Sequence, residues 1–289
     1  MLCAHSPVYA ALSCAVKINT RTLHSAKQMN TTVKNLLRPA AHLLMRIGFD
    51  PRKVLSLRSF PTYKKHYKEF EQLGGNITHR YMILSDFTDQ AGSAKGHYFH
   101  QDLLVASFIH QKNPVRHIDI GSRVDGFVAH VAAYRPIEVI DVRDLEDTGH
   151  KNIVFTKADL MNDQKSQHEI TDSLSCLHVI EHFGLGRYGD PIDPQGHIKG
   201  FNNILKMLKP NGTLYISFPI GIQNEVHFNA HRVFHPTDIL NWASDKDALQ
   251  LERFDFVDDA GNLHQNIDIK KEKIDVKYGC GIYTFSKLH

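Results

Sequence analysis

The sequence predicts an α/β fold, with a doubly wound, mostly parallel sheet of seven strands that follows an N-terminal helical extension. Short continuous apolar runs alternate with helical patterns from residue 96 onwards. Strands that are apolar throughout, rather than at every second position, are typical of a parallel sheet covered by helices on both faces. The chain has 289 residues, of which 42% are hydrophobic, and this is enough to bury the core of one such domain.

The seven predicted strands are short apolar runs bounded by glycine or polar residues. They lie at residues 116–121, 137–142, 152–156, 173–179, 213–218, 251–257 and 281–287. Apolar residues at helical spacing predict helices at 63–73, 100–112, 124–134, 200–208 and 237–243. Gly74-Gly75 ends the first helix, Asn113-Pro114 ends the second, and Lys209-Pro-Asn-Gly212 is the predicted turn into the fifth strand.

The N-terminal part differs in composition from the rest. The first 49 residues contain no acidic residue, which is typical of a mitochondrial transit segment and also fits a disordered extension. We therefore expect an extension at 1–28, a helical segment at 29–85 and the sheet domain at 86–289. Residues 31–47 predict a helix that Pro39 interrupts, with a basic face that could rest on a membrane surface. A cytoplasmic location is expected, with a mitochondrial one as the alternative.

Charge and cysteine content exclude several classes. A formal net charge of +3, with no basic stripe, argues against a nucleic-acid partner. The four cysteines form no C-x-x-C pair, so reduced thiols are expected. No run approaches about 18 consecutive apolar residues, so no transmembrane helix is expected.

Ligands of open α/β sheets bind beyond the carboxyl ends of the strands, and acids follow three of the predicted strands there. The first strand ends in Asp119-Ile-Gly121, where glycine lets the backbone approach a ligand. The second ends at Asp141, about twenty residues later, where a carboxylate can accept both hydroxyls of a ribose. Asp159 follows the third strand and could accept from an adenine amino group.

This succession resembles the class I S-adenosylmethionine-dependent methyltransferases over residues 96 to 287. The resemblance implies a Rossmann-like methyltransferase fold and S-adenosylmethionine as the cofactor. The cofactor-binding residues that it implies are Asp119, Gly121, Arg123, Asp141, Asp159 and His178. Arg123 and Asp125 stand where the pattern usually has glycine, so Arg123 could hold the carboxylate of the cofactor or instead favour a phosphate.

Three blocks resemble, more narrowly, an uncharacterised methyltransferase-like group, the domain-of-unknown-function family 268. They are GHYFHQDLLVA at 96–106, HIDIGSRVDGFVAHV at 117–131 and SLSCLHVIEHFGLGRYGDPIDPQGH at 173–197. This family supplies no activity of its own.

The stretch His178-Val-Ile-Glu181-His182 also spells H-x-x-E-H, the inverted signature of zinc peptidases. That function needs a continuous helix, so that both histidines point the same way. The apolar run before His178 and the glycines at 184, 186 and 189 instead predict the end of a strand. We therefore expect no metal, and a zinc peptidase remains a remote alternative. Glu181 and His182 are candidate catalytic residues at the cleft.

Two further segments are candidates for the acceptor side. Residues 183–196 form a long glycine- and proline-containing loop that predicts a binding lid or an ordered turn, with Tyr188 and Asp190 as substrate residues. In the second segment, alternation places His227, Asn229 and His231 on one side if the chain is extended.

Arg232 could hold an anionic group of the substrate. A flap before the first strand could contribute three more substrate residues, which are His97, Tyr98 and His100.

The predicted function is transfer of a methyl group from S-adenosylmethionine to a small polar acceptor, with sugars as candidates. His182, His227 or His231 is the expected base for a hydroxyl acceptor. The alternative is a catalytically inactive module of the same fold that binds a nucleotide or S-adenosylmethionine.

Overall fold

The computed structural model describes residues 56–163, 165–245 and 247–289. The chain divides between Ser93 and Ala94 into two compact units. The predictions for the N-terminal extension and for the helix at 31–47 lie outside the described residues. No helix in the described part of the chain is long and apolar enough to cross a bilayer.

The described part of the first unit contains one helix. A 3-10 turn at Ser56–Ser59 leads into α1, Phe60–Gln72. The predicted helix at 63–73 therefore starts three residues earlier, because proline is accepted in the first turn, where no partner for its missing N–H is needed. Gly74 follows the helix with a positive φ of 87°.

The second unit is built around one eight-stranded sheet with the order β3-β2-β1-β4-β5-β10-β8-β9. The ten strands of the unit are β1 His117–Ile120, β2 Ile137–Asp141, β3 Ile153–Lys157, β4 Thr171–Leu177, β5 Leu208–Ile220, β6 Glu225–His227, β7 His231–Val233, β8 Leu249–Val257, β9 Leu263–His264 and β10 Gly279–Lys287. Strands β1 to β5 pair in parallel, and β10 runs antiparallel between β5 and β8. The seven predicted strands are all present, and the mostly parallel, Rossmann-like α/β fold is confirmed.

Three short strands, β6, β7 and β9, were not predicted. The two-residue strand β9 pairs with β8 at the edge of the sheet. Strands β6 and β7 form a separate antiparallel hairpin. Runs of two or three residues are too short to show a hydrophobic period.

Helices cover both faces of the sheet. The helices of this unit are α2 His97–Lys112, α3 Ala129–Ala132 and α4 Gly196–Met207. Val105 of α2 and Val131 of α3 belong to one buried cluster, while Phe201 of α4 belongs to another. These two apolar layers explain why the parallel strands are apolar at consecutive positions.

Two predicted helices are interrupted. Residues 124–134 form one π-type turn, Val124–Val128, before α3, because Gly126 leaves helical geometry with φ −122° and ψ −112°. Residues 237–243 form only a 3-10 turn, Asp238–Asn241.

Strand β5 starts five residues before the predicted one. Its pairing with β4 shifts register between Thr171 and Ser173, so that residues 209–212 bulge outwards. Asn211 takes a left-handed φ of 63° there. A bulge accommodates Pro210, which has no N–H to contribute to the sheet, so the predicted turn lies inside a longer strand.

Candidate functional site

A cleft opens at the carboxyl ends of the parallel strands, and Gly121 lines it. This glycine follows β1 with a φ of 68°, a conformation that side chains disfavour. A Cβ at this position would lie 2.7 Å from Cγ1 of Val179, which follows β4. Glycine therefore allows the turn after β1 to pack directly on the end of β4.

Asp119 stabilises this turn through hydrogen bonds. Its carboxylate accepts hydrogen bonds from the backbone N–H and the hydroxyl of Ser122, both at 2.9 Å, and from the hydroxyl of Ser175. Burial raises the pKa of Asp119 to about 7, although these hydrogen bonds act in the opposite direction. Since the carboxylate is fully buried, it shapes the turn rather than facing the cleft.

Asp141 lies at the end of β2 and is held by a neighbouring cation. Its Oδ1 accepts from the backbone N–H of Arg143 at 2.8 Å and from Nε of Arg143 at 3.0 Å. Its Oδ2 accepts from Nη2 of Arg143 at 2.5 Å. The guanidinium carbon of Arg143 lies 4.7 Å from the centre of the Tyr188 ring.

Asp159, after β3, lies in the same cavity as Asp141 and Gly121. Its carboxylate accepts from the N–H of Met161 and from the amide of Asn162, both at 2.9 Å. The apolar lining of this cavity comes from Ile120, Ile140, Val142, Ala158, Leu160, Met161, Val179 and Phe183. Four of the predicted cofactor residues, Gly121, Asp141, Asp159 and His178, thus line one largely apolar slot. His182, Tyr188 and Asp190, which were predicted for the acceptor side, line it as well, whereas its apolar residues were not predicted.

A second, more polar cavity of about 730 Å³ adjoins the first. Five residues line both cavities, namely Gly121, Arg143, His178, His182 and Tyr188. Arg123 lies at its rim and forms a two-point ion pair with Asp125, with distances of 3.0 and 2.7 Å. Both side chains of this pair are largely exposed, so a ligand can reach them.

The H-x-x-E-H stretch does not form a helix. Strand β4 ends at Leu177, His178 takes a left-handed φ of 54°, and a single 3-10 turn covers Ile180–His182. The geometry that the peptidase interpretation requires is therefore missing, and the prediction that this stretch closes the fourth strand agrees with the structure.

Glu181 is the centre of a buried polar group. Its Oε1 lies 2.9 Å from Nδ1 of His178 and 3.7 Å from Nε2 of His182. Its Oε2 is buried and has no hydrogen-bond partner in the described part of the chain. His182 in turn donates from Nδ1 to the carbonyl of Ala230 at 2.6 Å. Glu181 and His182 both line the larger cavity, as predicted for groups that face a substrate.

Protonation of these histidines follows their surroundings. Burial lowers the pKa of His182. Burial and the neighbouring His178 lower the pKa of His97 to about 4. Burial by itself would lower the pKa of His178. The Cys280 sulfur and the Glu181 carboxylate have the larger combined effect, and they raise the pKa of His178.

The prediction that His227, Asn229 and His231 share one side depended on an extended segment, and the segment is not extended. The segment folds as the β6–β7 hairpin, in which His227 and His231 are direct partners with ring centres 4.8 Å apart. His231 lines the larger cavity, whereas His227 pairs with Glu225 at 2.6 Å outside it. Asn229 takes a left-handed φ of 61° in the turn and lines neither cavity.

Arg232 is not available for an anionic ligand. Only 4% of it is exposed. Its guanidinium donates to the carbonyls of Phe183 at 2.6 Å and of Glu181 at 3.3 Å, and two further bonds of 3.4 Å go to the carbonyls of Asp193 and Pro194. The arginine therefore holds the two ends of the 183–196 loop, because buried carbonyls of an irregular segment need donors.

Asp190 supports the same loop from inside. Its carboxylate accepts from the N–H groups of Gly184 at 2.9 Å, Gly186 at 3.3 Å and Tyr188 at 3.1 Å. The loop is thus an ordered structure that carries Tyr188 over Arg143, at the border between the two cavities.

Two of the three predicted flap residues reach the cleft. His97 and Tyr98 begin α2, and their rings lie 5.2 and 5.1 Å from the ring of His178. His100 points to the carbonyl of Gly261 at 3.1 Å and lines neither cavity.

The sequence reasoning missed Tyr278 and Cys280. The ring of Tyr278 lies 5.6 Å from that of His97 and 5.4 Å from that of His231. Cys280 is buried behind them at the start of β10. Since β10 is antiparallel, its beginning meets the carboxyl ends of the parallel strands, with Cys280 opposite Pro219 of β5. The direction of the last strand was the signal that could have located them.

Comparison with protein-family models shows to which family this chain belongs. A model described as "Caenorhabditis protein of unknown function, DUF268" matches residues 136–280, which is half of the 289 residues. The chain belongs to this family. The DUF268 match includes Asp141, Asp159, Glu181 and Cys280, and it begins after Gly121. No curated protein matches the sequence.

Solved structures that resemble this DUF268 protein are remote in sequence. The [4+2]-cyclase SpnF is 14% identical, with a TM-score of 0.48, and the match covers 75% of this chain and 90% of that one. The 1,6-didemethyltoxoflavin-N1-methyltransferase of Burkholderia thailandensis, with bound 1,6-didemethyltoxoflavin and S-adenosylhomocysteine, is 12% identical with a TM-score of 0.46, covering 82% and 90%.

The N-methyltransferase NodS of Bradyrhizobium japonicum WM9, in complex with S-adenosylhomocysteine, is 14% identical with a TM-score of 0.44, covering 71% and 92%. At TM-scores below 0.5 these similarities are too remote to indicate an activity. The fold rests on the strand order and register of the chain itself.

Proposed function

We propose that the protein binds S-adenosylmethionine at the carboxyl ends of β1, β2 and β3 and transfers its methyl group to a small polar acceptor. The observation that carries this proposal is the meeting of Gly121, Asp141 and Asp159 around one apolar slot, beside a larger polar cavity. A slot lined by apolar side chains with a few converging polar groups is the usual form of a small-molecule or cofactor site.

Each of these three residues has a role that its position supports. Asp141, at the end of β2, would accept the hydroxyls of the ribose. Asp159 is placed beside the apolar residues that would enclose the adenine. Gly121 leaves room for a ligand to approach the backbone after β1. Arg123, at the rim of the second cavity, would meet the carboxylate of the methionine part after separating from Asp125.

The larger cavity is the place for the acceptor. When bound, S-adenosylmethionine supplies a methyl group on a positively charged sulfur, so the protein has mainly to align the acceptor. Glu181, His182 and His231 line this cavity and can orient a polar acceptor or take its proton. Burial lowers the pKa of His182 and of His231, which leaves both rings neutral and able to accept a proton near neutrality.

A binding module without transfer is the second candidate. Two observations favour it. Asp141 is already paired with Arg143, and Arg123 stands where the methyltransferase pattern usually has its second glycine. In this case the slot would hold a nucleotide or S-adenosylmethionine, and no acceptor would be methylated.

The first test is calorimetric titration of the full chain with S-adenosylhomocysteine. We expect micromolar binding, about −8 kcal/mol, and a loss of at least tenfold in Asp141→Asn. Asp144→Asn is the matched control, because this carboxylate is three residues away, pairs with Lys157 and lies outside the slot. Equal binding by wild type and Asp141→Asn would refute the cofactor site.

The second test separates the two candidates. Folded protein that binds S-adenosylhomocysteine is incubated with methyl-labelled S-adenosylmethionine and a panel of small hydroxyl and amine acceptors, sugars included. Transfer that is lost in His231→Gln or His182→Gln supports the enzyme. Binding without transfer to any acceptor would favour the module.

A further inference from the structure

Three metal-binding side chains meet at the base of the larger cavity. His97 comes from the start of α2, His178 from the end of β4 and Cys280 from the start of β10. One ligand atom from each lies within 4.8 Å of the other two, and among the described residues this is the group of histidines, cysteines and acids that could enclose an ion. We propose that these three residues bind one zinc ion, with a fourth coordination position open to the cavity. The sequence predicts no metal at all.

The geometry is close to what zinc requires. Zinc bonds of about 2.0–2.1 Å to nitrogen and about 2.3 Å to sulfur put tetrahedral ligand atoms roughly 3.3–3.8 Å apart. Since the three atoms lie within 4.8 Å of one another, they need to approach by at most roughly 1.5 Å. Two imidazoles and one thiolate are also a set that selects zinc over magnesium or calcium, which prefer oxygen ligands.

One ring nitrogen of His178 has no oxygen or nitrogen partner in the described part of the chain. Its Nε2 is buried and has no hydrogen-bond partner within the described residues. A buried nitrogen without a partner is costly, and such groups in native structures usually mark a missing ion or water. The left-handed φ of 54° at His178 holds the ring in this position, and a non-glycine residue rarely adopts it without a reason.

Glu181 prepares His178 for this role. The 2.9 Å contact between Nδ1 of His178 and Oε1 of Glu181 puts the proton on Nδ1, so that Nε2 is the free ligand atom. A carboxylate behind a metal-binding histidine is the usual second layer of zinc sites, where it fixes the ring and strengthens the ligand. Glu181 is 1% exposed, and its charge together with a Cys280 thiolate would balance the two charges of zinc.

Cys280 fits a ligand better than a nucleophile. It is fully buried beside His178, and its sulfur also contacts Oε1 of Gln101 at 3.8 Å and the carbonyl of Gly281 at 3.7 Å. A substrate in the cavity meets His97, His178 and Tyr278 before it, since Cys280 does not line the cavity. A metal ion is small enough to be shared between this sulfur and the two rings above it.

The open position would face Tyr278 and His231, on the acceptor side of the cleft. Three protein ligands and one open position are typical of catalytic rather than structural zinc. The site would therefore take an oxygen, nitrogen or sulfur atom of a small ligand. None of the three ligands is Gly121, Asp141 or Asp159, so binding of zinc and binding of S-adenosylmethionine can be measured separately.

The test is cobalt(II) titration of the full chain after reduction and removal of metal by a chelator. We expect one equivalent of cobalt to produce the thiolate-to-cobalt charge-transfer band, and one equivalent of zinc to abolish it. Cys280→Ser should lose the band. Cys176→Ser is the matched control and should keep it, because Cys176 is equally buried but belongs to the apolar cluster on the other face of the sheet.

The remaining ligands are tested by affinity. His178→Gln and His97→Gln should each lower zinc affinity at least about tenfold, and Glu181→Gln should lower it about 10- to 100-fold without removing the band. If Cys280→Ser does not fold, as judged by circular dichroism, His97→Gln decides, since its side chain lies at the start of a helix and is partly exposed.

Two results would overturn the proposal. The first is folded wild-type protein that gives no cobalt band and purifies without zinc. The second is an unchanged rate of reaction between Cys280 and iodoacetamide when zinc is added. This result would indicate a thiol–imidazole pair and no metal. Calorimetry with S-adenosylhomocysteine on the metal-free chain is run in parallel. Binding there, with no metal bound, would leave the proposed function intact and remove only the zinc site.

Discussion

The guanidinium of Arg143 forms an ion pair with the carboxylate of Asp141, two residues earlier in the chain. Asp141 is the acid that would accept hydrogen bonds from the ribose. Three hydrogen bonds of 2.5 to 3.0 Å join Arg143 to Asp141, and the ring of Tyr188 covers the guanidinium at 4.7 Å. The carboxylate is mostly buried, and half of the arginine side chain is exposed. A ligand that enters the slot must therefore displace an internal cation or share the acid with it.

Removing the arginine should make this exchange easier. In Arg143→Met, we expect S-adenosylhomocysteine to bind about three- to tenfold more tightly, because a half-exposed ion pair contributes about 1 kcal/mol. The measurement is calorimetric titration of the variant beside wild type and Lys157→Met, which removes an exposed cation from the pair with Asp144. Weaker binding by Arg143→Met alone would mean that Arg143 itself contacts the ligand.

Gly121 should not tolerate a side chain. Gly121→Ala adds a Cβ at 2.7 Å from Cγ1 of Val179 and also requires a left-handed alanine. We expect a loss of about 3 kcal/mol in the free energy of unfolding, about 1–2 from the backbone and the rest from overpacking. Gly149→Ala is the matched control, because φ is 66° there and nothing lies within 4 Å of the added Cβ.

Gly149→Ala should thus cost only the backbone part of the loss. Both are measured by urea unfolding. Val179→Ala in the Gly121→Ala background should recover part of the difference. Equal losses in the two single variants would show that the approach to Val179 is not what requires glycine.

Arg232 should matter for stability and for the order of the 183–196 loop. Replacing it by methionine removes four buried or partly buried hydrogen bonds to carbonyls, of which the Asp193 carbonyl still accepts from the N–H of Gly196. We expect a loss of about 3 kcal/mol in the free energy of unfolding. The free loop should also be cut faster by trypsin after Arg187, which is exposed. Urea unfolding and a limited digestion time course measure the two effects. Arg123→Met, which removes a largely exposed arginine, should change neither.

Stability should fall in acid partly because of His197. This histidine of α4 packs on Phe234 and Trp242, and its buried Nδ1 has no partner within the described residues. Burial lowers its pKa to about 4, and the nearby Arg232 lowers it too, whereas Asp193 acts in the opposite direction. A depressed pKa means that the folded state resists protonation, so stability present above about pH 6.5 is lost as the pH falls towards 4.

The variant His197→Phe removes this titration and keeps a ring against Phe234 and Trp242. Between pH 7.5 and 5, wild type should lose about 1 kcal/mol more than the variant, a figure reduced for solvent near the ring. Urea unfolding at the two pH values measures it. The same loss in both proteins would show that His197 is not the titrating group.

The strand ends were predictable, and the contacts across them were not. Gly121, Asp141 and Asp159 each follow an apolar run, so a rule about parallel sheets was enough to bring them to one edge. The sequence around Arg232 does not distinguish an arginine that binds an anionic ligand from one that donates to backbone carbonyls. Its role depends on which carbonyls surround it, and these include Phe183, 49 residues earlier in the chain, and Asp193, 39 residues earlier.

The hairpin shows why local periodicity failed near His227. Alternation assumes one extended strand, whereas a turn at Asn229 reverses the chain and puts His227 opposite His231. Three-residue strands contain too little pattern to reveal the reversal. Tyr278 and Cys280 were missed for a different reason, since only the antiparallel direction of β10 places its beginning at the cleft.

By itself, the sequence determined the α/β class, the seven main strands and three cavity-lining positions at the ends of β1, β2 and β3. These follow from local patterns, because an apolar run between polar ends reports burial wherever it lies in the chain. Tertiary structure alone decided that His97, His178 and Cys280 meet, that Glu181 lies behind His178 and that Arg232 supports a loop. Such contacts join residues up to about 180 positions apart, and they depend on strand order and direction, which no local pattern encodes.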